Sequence, residues 1–247
     1  MKDLKVKGII VKTVNVGEAG KMLTILTAQG KVRALAAGVR HAKSKRLSAT
    51  QPMCYGEYVL KKNKDFYHVS ACECLESFYH IRESVEKLAL AAYFLELTEK
   101  TAEGHHLDEA VAWLLNTLYM LANKEHDLLL LKSVYELRLM QLLGLAPNLV
   151  ACNACGDSED DTCFHFHSTS GGLVCEACEC DVAGAMLLDE TTLYTLRYIL
   201  YSPPQKLFGF VVNDDIVHKL TKICKDFLAT HLDYPLKTEA YFWNILP

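Results

Sequence analysis

Cys152-Asn153-Ala154-Cys155 and Cys175-Glu176-Ala177-Cys178 are the stretches around which this 247-residue chain is organised. Nineteen residues separate Cys155 from Cys175, and two C-x₂-C pairs spaced in this way are typical of a four-thiolate zinc site. Each pair aims two sulfurs at one point, so the two pairs complete a tetrahedron with no position open for a substrate. The spacing predicts one structural zinc ion, bound by Cys152, Cys155, Cys175 and Cys178 in a loop over about 150–180 with little core of its own.

Other ligands and other interpretations are open near these pairs. A chain with ten cysteines could hold four of them scattered through its core, but the doubled spacing favours a metal. A catalytic zinc of the deaminase type needs H-x-E and P-C-x-x-C, and neither pair follows a proline. The C-x-C spacing of Cys178 and Cys180 makes a poorer turn. The residues that could replace one of the four ligands are Cys163, Cys180, His165 and His167.

The composition is that of a globular protein, with 51% hydrophobic and 23% charged residues. Lysines interrupt the N-terminal segment, so no signal peptide is predicted. No stretch reaches the roughly 18 consecutive apolar residues of a membrane span. Many cysteines without an export signal point to metal binding in a reducing cytoplasm and not to disulfides. We therefore expect a cytoplasmic protein that does not interact with membranes.

Charge is divided unevenly along the chain. Residues 1–64 hold 14 of the 26 Lys and Arg residues and three of the 30 acids, a net charge of +11 that leaves −15 for the remainder. This division predicts a polyanion-binding N-terminal segment on an acidic body, although a solvated basic face has the same composition. A G-x-x-G-K sequence at Gly17–Lys21 does not match the phosphate-binding loop, which has four residues between its glycines.

Two kinds of periodicity follow each other along the chain. Residues 4–76 contain five short β-branched or aromatic segments bounded by turns such as Gln29-Gly30 and Asn63-Lys64-Asp65, which predicts a five-stranded barrel like the OB-fold. From about residue 79 the apolar spacing is helical, with a helix ending near Glu103-Gly104 and two more at 107–122 and 128–143. Gly144 and Pro147 end the third helix. Asp189 and Asn213 are the predicted N-caps of two C-terminal helices.

Several of these segments resemble the bacterial RecO family of recombination mediators. They are Gly8–Lys12, Gly17–Ala19, Leu26–Lys31, Ala37–Arg40, Lys43–Lys45, Tyr135–Leu139 and Leu143–Leu149, the last running directly into Cys152-x-x-Cys155-Gly156. The match covers most of the chain, and the E-L-R-L run followed by G-x-A-P and C-x-x-C-G is specific. It departs from the family at Gly20, where an acid is common, and in the loosely matching tail Leu236–Glu239.

The resemblance implies an α+β protein with two domains. Residues 1–78 would form a five-stranded OB-fold that binds nucleic acid, and residues 79–247 an α-helical domain with the four-cysteine zinc-binding insertion. The family implies a cytoplasmic, nucleoid-associated protein that binds single- and double-stranded DNA and anneals complementary strands. It also implies loading of the RecA recombinase together with RecR, and binding to the C-terminal tail of the single-strand-binding protein.

Candidate DNA contacts lie on and just after the middle strands of the predicted barrel. Basic residues there can neutralise phosphates, and Tyr55, Tyr58, Phe66 and Tyr67 are candidates for base stacking, although a single aromatic is more often core. The Arg40–Arg46 segment could equally be a solvated loop. The predicted DNA-binding residues are Lys31, Arg33, Arg40, Lys43, Lys45 and Arg46.

The C-terminal tail of the single-strand-binding protein is acidic with an apolar end. A site for it would be an apolar groove rimmed by lysines. The last long helix offers such a set in Lys219, Lys222 and Lys225 beside Ile223 and Phe227.

Two other function classes are open from the sequence. An enzyme would need an open metal site or a carboxylate cluster, and the acidic run Asp157–Asp161 and the pair His105-His106 fit solvated turns better, so we expect no catalytic activity. A zinc-ribbon transcription or assembly factor would share the metal without annealing activity.

Overall fold

The computed structural model describes residues 3–41, 43–63, 66–101, 107–159, 163–179, 184–232 and 235–246. Two compact units are present, the first comprising Met1–Glu125 with Leu236–Pro247 and the second His126–Pro235. The predicted division at residue 78 lies two residues after the last barrel strand, which ends at Glu76, while the first unit also contains helices. The division into domains at that residue stays a prediction.

Five strands close into a barrel in the first unit: β1 (Leu4–Val16), β2 (Gly20–Thr27), β3 (Gly30–Ala36), β4 (Tyr55–Lys62) and β5 (Tyr67–Glu76). Their order is β1-β2-β3-β5-β4, and β4 pairs antiparallel with β1. The β3–β5 contact is parallel and pairs Ala34 with Tyr67 and Leu35 with His68. Alternating aliphatic side chains such as Ile10, Leu23 and Ile25 fill the interior. This arrangement, followed by helices, confirms the predicted OB-fold and the α+β fold class.

The described residues of the first unit also form three α-helices: α1 (Val85–Thr101), α2 (Leu107–Asn123) and α7 (Lys237–Ile245). The predicted end of α1 at Glu103-Gly104 lies outside the described residues. No sequence pattern predicted α7. Its first turn is fixed by Glu96 on α1, which accepts hydrogen bonds from the N–H and the hydroxyl of Thr238 at 2.9 and 2.6 Å, and Phe242 is fully buried.

In the part of the second unit that the structure describes, the α-helices are α3 (Leu128–Leu142), α4 (Glu176–Glu179), α5 (Glu190–Tyr201) and α6 (Asp214–His231). Gly144 follows α3 with φ of +75°, as its predicted role requires. Both predicted N-caps are confirmed, since Asp189 accepts the N–H of Thr192 at 2.8 Å and Asn213 that of Ile216 at 2.9 Å. Within the described residues, no helix combines the length and apolar character needed to cross a membrane.

The predicted metal loop contains a small sheet of β6 (Phe164–His167), β7 (Gly172–Cys175) and β8 (Met186–Leu187), in the order β7-β6-β8. Phe164, Phe166, Leu173 and Val174 are each at most 5% exposed, and the ring of Phe166 meets that of Phe227 on α6 edge-on at 5.8 Å. These side chains are buried where the loop also packs on α6, so the expectation that the loop has little core of its own stays a prediction. The strands β6 and β7 have four residues each, which is too short to give a clear sequence pattern.

Candidate metal centre and nucleic-acid interface

The four predicted cysteines come together in the second unit, with all four sulfur atoms within 4.8 Å of one another. Cys152 and Cys155 form a turn that we call the first knuckle, and Cys175 and Cys178 lie in the second knuckle, where β7 continues into α4. The Sγ atoms of Cys155 and Cys175 are 3.6 Å apart. Two thiolates on one tetrahedral zinc, each about 2.3 Å from the ion, would be roughly 3.8 Å apart, so the cluster fits a metal ion of that size.

Main-chain hydrogen bonds join the segments that carry the two knuckles. The N–H of Asn148 donates to the carbonyl of Gly171 at 2.9 Å, and the N–H of Leu173 donates back to the carbonyl of Asn148 at 3.0 Å. Gly172 packs so closely that a Cβ atom there would lie 2.2 Å from the Asn148 carbonyl oxygen, and its φ is +152°. Only glycine fits this position, and the backbone thereby sets the register between the knuckles.

The thiols of the cluster do not ionise alike. Burial acts to raise the pKa of Cys152, but the backbone N–H groups of Cys155, Cys175 and Ala154 point at its sulfur and lower that pKa to about 6. The neighbouring thiols of Cys175 and Cys155 instead raise the pKa of Cys178 to about 12. Four thiolates this close need a cation to offset their repulsion, so binding of a divalent metal would release protons.

The residues considered as alternative ligands lie apart from the cluster or outside the described residues. Among the described residues the four cysteines form the group that could hold an ion. Cys163 is exposed and lies outside this group, and His167 Nδ1 is 2.6 Å from Ser170 Oγ. Cys180 lies outside the described residues, as do His105, His106 and the acids Asp160 and Asp161.

A cleft of about 300 Å³ on the barrel combines positive charge with aromatic rings. Lys31 and Arg33 on β3 line one part of it, while Lys62, Phe66 and Tyr67 line the other, at the β4–β5 turn. The Phe66 ring also contacts His68 with centroids 5.2 Å apart. Lys62 was not among the predicted contacts, although its position beside the predicted turn was the signal that could have found it. Lys64 and Asp65 of that turn lie outside the described residues.

The basic segment after β3 has two parts with different roles. The guanidinium of Arg40 donates to the carbonyls of Gly17 and Glu18 at 3.3 and 3.0 Å. That of Arg46 donates to the carbonyls of Val69 and Ala37 at 3.2 and 2.8 Å. The two predicted contacts Lys43 and Lys45 are exposed. Arg40 and Arg46 therefore bind carbonyls of the barrel itself, and their predicted contacts with DNA stay predictions. The lysines present charge to the surroundings.

The residues predicted for a partner groove are not arranged as one. Ile223 and Phe227 are each 2% exposed and belong to the core of the second unit, because the apolar stripe of α6 faces inward. Lys219 Nζ lies 2.5 Å from Asp189 Oδ2. Burial acts to raise the pKa of Asp189, but hydrogen bonds from Lys219 and Thr192 hold that pKa well below its usual range. Lys222 and Lys225 are exposed.

Comparison with known proteins places the chain in a family. Residues 1–78 match the family "Recombination protein O N terminal" and residues 82–240 match "Recombination protein O C terminal". The DNA repair protein RecO of Acetivibrio thermocellus is 35% identical over 235 residues, which cover 94% of this chain and 93% of that protein. The proteins of the same name from Alkaliphilus metalliredigens and Thermoanaerobacter sp. are 33% and 30% identical, over 93% and 99% of this chain and 94% and 99% of their own lengths. With both family regions matched in order along a barrel and a helical body, the chain belongs to the RecO family of DNA repair proteins.

Proposed function

We propose that this chain is a non-catalytic mediator of recombinational DNA repair. It binds single- and double-stranded DNA, anneals complementary strands and helps RecR to load the RecA recombinase. The observation that carries the DNA-binding part is the basic and aromatic cleft on the OB-fold barrel. Lys43 and Lys45, in the segment after β3, are exposed and add positive charge. The named relatives are DNA repair proteins, which supports the same function.

The barrel can bind single strands by two physical effects. Lys31, Arg33 and Lys62 neutralise phosphates and release counterions, which makes binding strongly dependent on salt. Phe66 and Tyr67 provide rings on which unpaired bases stack without regard to sequence. Annealing follows from the same charges, because they offset the repulsion between two strands held close together.

An annealing assay tests this function. The rate at which complementary oligonucleotides pair should rise on addition of the protein and fall strongly for a variant with Arg33→Ala and Lys62→Ala. A matched control, Lys222→Ala with Lys225→Ala, removes the same charge from α6 and should leave annealing unchanged. Equal annealing by all three proteins, or none by the wild type, would contradict the proposal. Cleavage of DNA in the presence of Mg²⁺ would show instead that the protein is an enzyme.

The metal of this proposal is one zinc ion per chain, bound by Cys152, Cys155, Cys175 and Cys178. The all-sulfur ligand set and the sulfur separation support zinc, and its chemistry here is to cross-link the two knuckles. Elemental analysis of the purified protein should find one zinc per chain. Cys155→Ser should lower that content, and a correctly folded wild-type protein without zinc would exclude the assignment.

The proposed partners are RecR and the C-terminal tail of the single-strand-binding protein, in the cytoplasm and at the nucleoid. For the tail, the exposed Lys222 and Lys225 supply positive charge for its acidic residues, but the interior position of Ile223 and Phe227 means that its apolar end must bind elsewhere. Changing both lysines to Glu should weaken binding of a tail peptide, measured by fluorescence anisotropy. Unchanged affinity would move the whole site away from α6.

A further inference from the structure

The cysteines of the metal centre fall into two classes by the access of the whole residue to solvent. Cys152 and Cys175 are 3% and 2% exposed, whereas Cys155 is exposed and Cys178 is half-buried. The Sγ of Cys152 also accepts hydrogen bonds from the N–H groups of Ala154 and Cys175 at 3.4 and 3.3 Å. The inner sulfurs are thus shielded, and the outer ones form an open edge of the cluster.

This difference determines which sulfur meets an oxidant first. Oxidation of cysteine follows thiolate character and access. A metal keeps all four sulfurs in the thiolate form, so access separates them. Cys155 has the access that the inner sulfurs lack, and a second sulfur, that of Cys175, lies only 3.6 Å away.

We propose that Cys155 is a modification site for hydroperoxides, at which oxidation opens the metal centre. Its thiolate is the first sulfur of the cluster to react, it then forms a disulfide with the second knuckle, and the metal leaves. This inference rests on the proposed zinc ion. It adds that oxidation of Cys155 controls whether the ion stays bound.

The reaction balances with hydrogen peroxide as the oxidant. The sulfur of Cys155 attacks one peroxide oxygen, the O–O bond breaks, and hydroxide leaves with the formation of a sulfenic acid. A second thiolate attacks that sulfur, an S–S bond forms, and a second hydroxide leaves. Two sulfurs each lose one electron and the peroxide gains two. Cys175 is the expected second sulfur because of its distance, with Cys178 the alternative within the same knuckle.

The remaining cysteines provide internal controls. Cys163 is exposed but lies outside the cluster, so it tests whether exposure alone suffices. Cys54 and Cys74 in the barrel have sulfurs 3.0 Å apart and could form a competing disulfide. Cys54 is 1% exposed, and that burial should make the barrel pair react later.

The experiment uses the purified zinc-loaded protein and hydrogen peroxide below one equivalent. Zinc release is followed with a chromogenic chelator, remaining thiols are trapped with iodoacetamide, and bridged peptides are identified by mass spectrometry. We expect zinc release and loss of the Cys155 thiol in equal amounts, with Cys155 bridged to Cys175 or Cys178. A first bridge at Cys54–Cys74 or Cys152–Cys155, or zinc release while Cys155 stays reduced, would overturn the proposal.

Two variants sharpen the result. Cys155→His keeps a zinc ligand but cannot form a disulfide, so zinc release by peroxide should slow by about tenfold or more. Cys163→Ser should release zinc as the wild type does. If Cys155→His does not retain zinc on purification, the proposal is tested by the wild-type protein alone, through the disulfide-bridged peptides identified by mass spectrometry. Absence of zinc from the wild type would refute the proposed metal, whereas zinc released by oxidation elsewhere would refute only this inference.

Discussion

Replacing Arg46 by alanine should destabilise the barrel and not primarily weaken DNA binding. The Arg46 guanidinium joins the carbonyl of Ala37, just after β3, to that of Val69 in β5. These are the two strands whose parallel contact closes the barrel at Ala34–Tyr67 and Leu35–His68. The side chain therefore extends a short seam between strands that are distant in sequence.

The size of the effect follows from the two hydrogen bonds that are lost. A bond to a charged group contributes roughly 1.5–3 kcal/mol when desolvated. The bond to Val69 is partly buried and the bond to Ala37 is exposed. Water would replace some of this energy, so the expected loss for the pair is about 2 kcal/mol. With a urea dependence of about 2 kcal/mol per molar, the unfolding midpoint should fall by about 1 M.

Tryptophan fluorescence can follow this transition selectively, because both tryptophans, Trp113 and Trp243, lie in the first unit. The matched control replaces the exposed Lys43 and Lys45 by alanine and should leave the urea midpoint unchanged. An Arg46→Ala protein that unfolds at the wild-type urea concentration but loses affinity for single strands would refute the reasoning, since Arg46 would then be a DNA contact and not a clamp.

Three further predictions use the same two units. The Lys43→Ala, Lys45→Ala double variant should flatten the dependence of log K on log salt for single-stranded DNA by about 1–1.5; an unchanged slope in a titration series would remove these lysines from the interface. Phe66→Ala should weaken single-strand binding by roughly 1–3 kcal/mol while leaving the salt slope intact, and wild-type affinity would exclude stacking there. Because hydrogen bonds from Lys219 and Thr192 outweigh burial and hold the pKa of Asp189 low, its stabilisation should be present above about pH 4 and be lost as pH falls through the folded-state pKa. Because Asn caps a helix about as well as Asp, Asp189→Asn should lose mainly the partly exposed ion pair with Lys219, at a cost of roughly 0.2–1 kcal/mol at neutral pH. The difference from wild type in the free energy of unfolding should narrow in acid, and a constant difference down to pH values below the folded-state pKa would contradict this.

Local signals made most of the fold predictable. The barrel strands are β-branched segments between clear turns, and the caps Asp189 and Asn213 act on N–H groups three residues away. The cysteine cluster could be predicted because ligand spacing is itself a local pattern. Interactions over long separations were not visible in this way: α7 depends on Glu96, which lies 142 residues from Thr238.

Some sequence patterns fit both a binding surface and a structural role, and these account for the other differences between the predictions and the structure. In the sequence, an arginine in a loop gives the same signal whether its guanidinium binds phosphate or a carbonyl of its own chain. Arg40 and Arg46 bind carbonyls of their own chain. Likewise, the stripe that contains Ile223 and Phe227 would serve an open groove as well as it serves the core. Sequence gives the residue types in such cases, and the packing of neighbouring elements decides their role.

The close approach of Gly172 to Asn148 has a consequence for metal affinity. In small metal-dependent domains, much of the free energy of ion binding is used to order the chain. Here the main-chain bonds from Asn148 to Gly171 and Leu173 already order the segments on either side of the cluster. A larger share of the binding free energy should therefore remain as affinity. A methyl group at Gly172 would then weaken ion binding without touching any ligand.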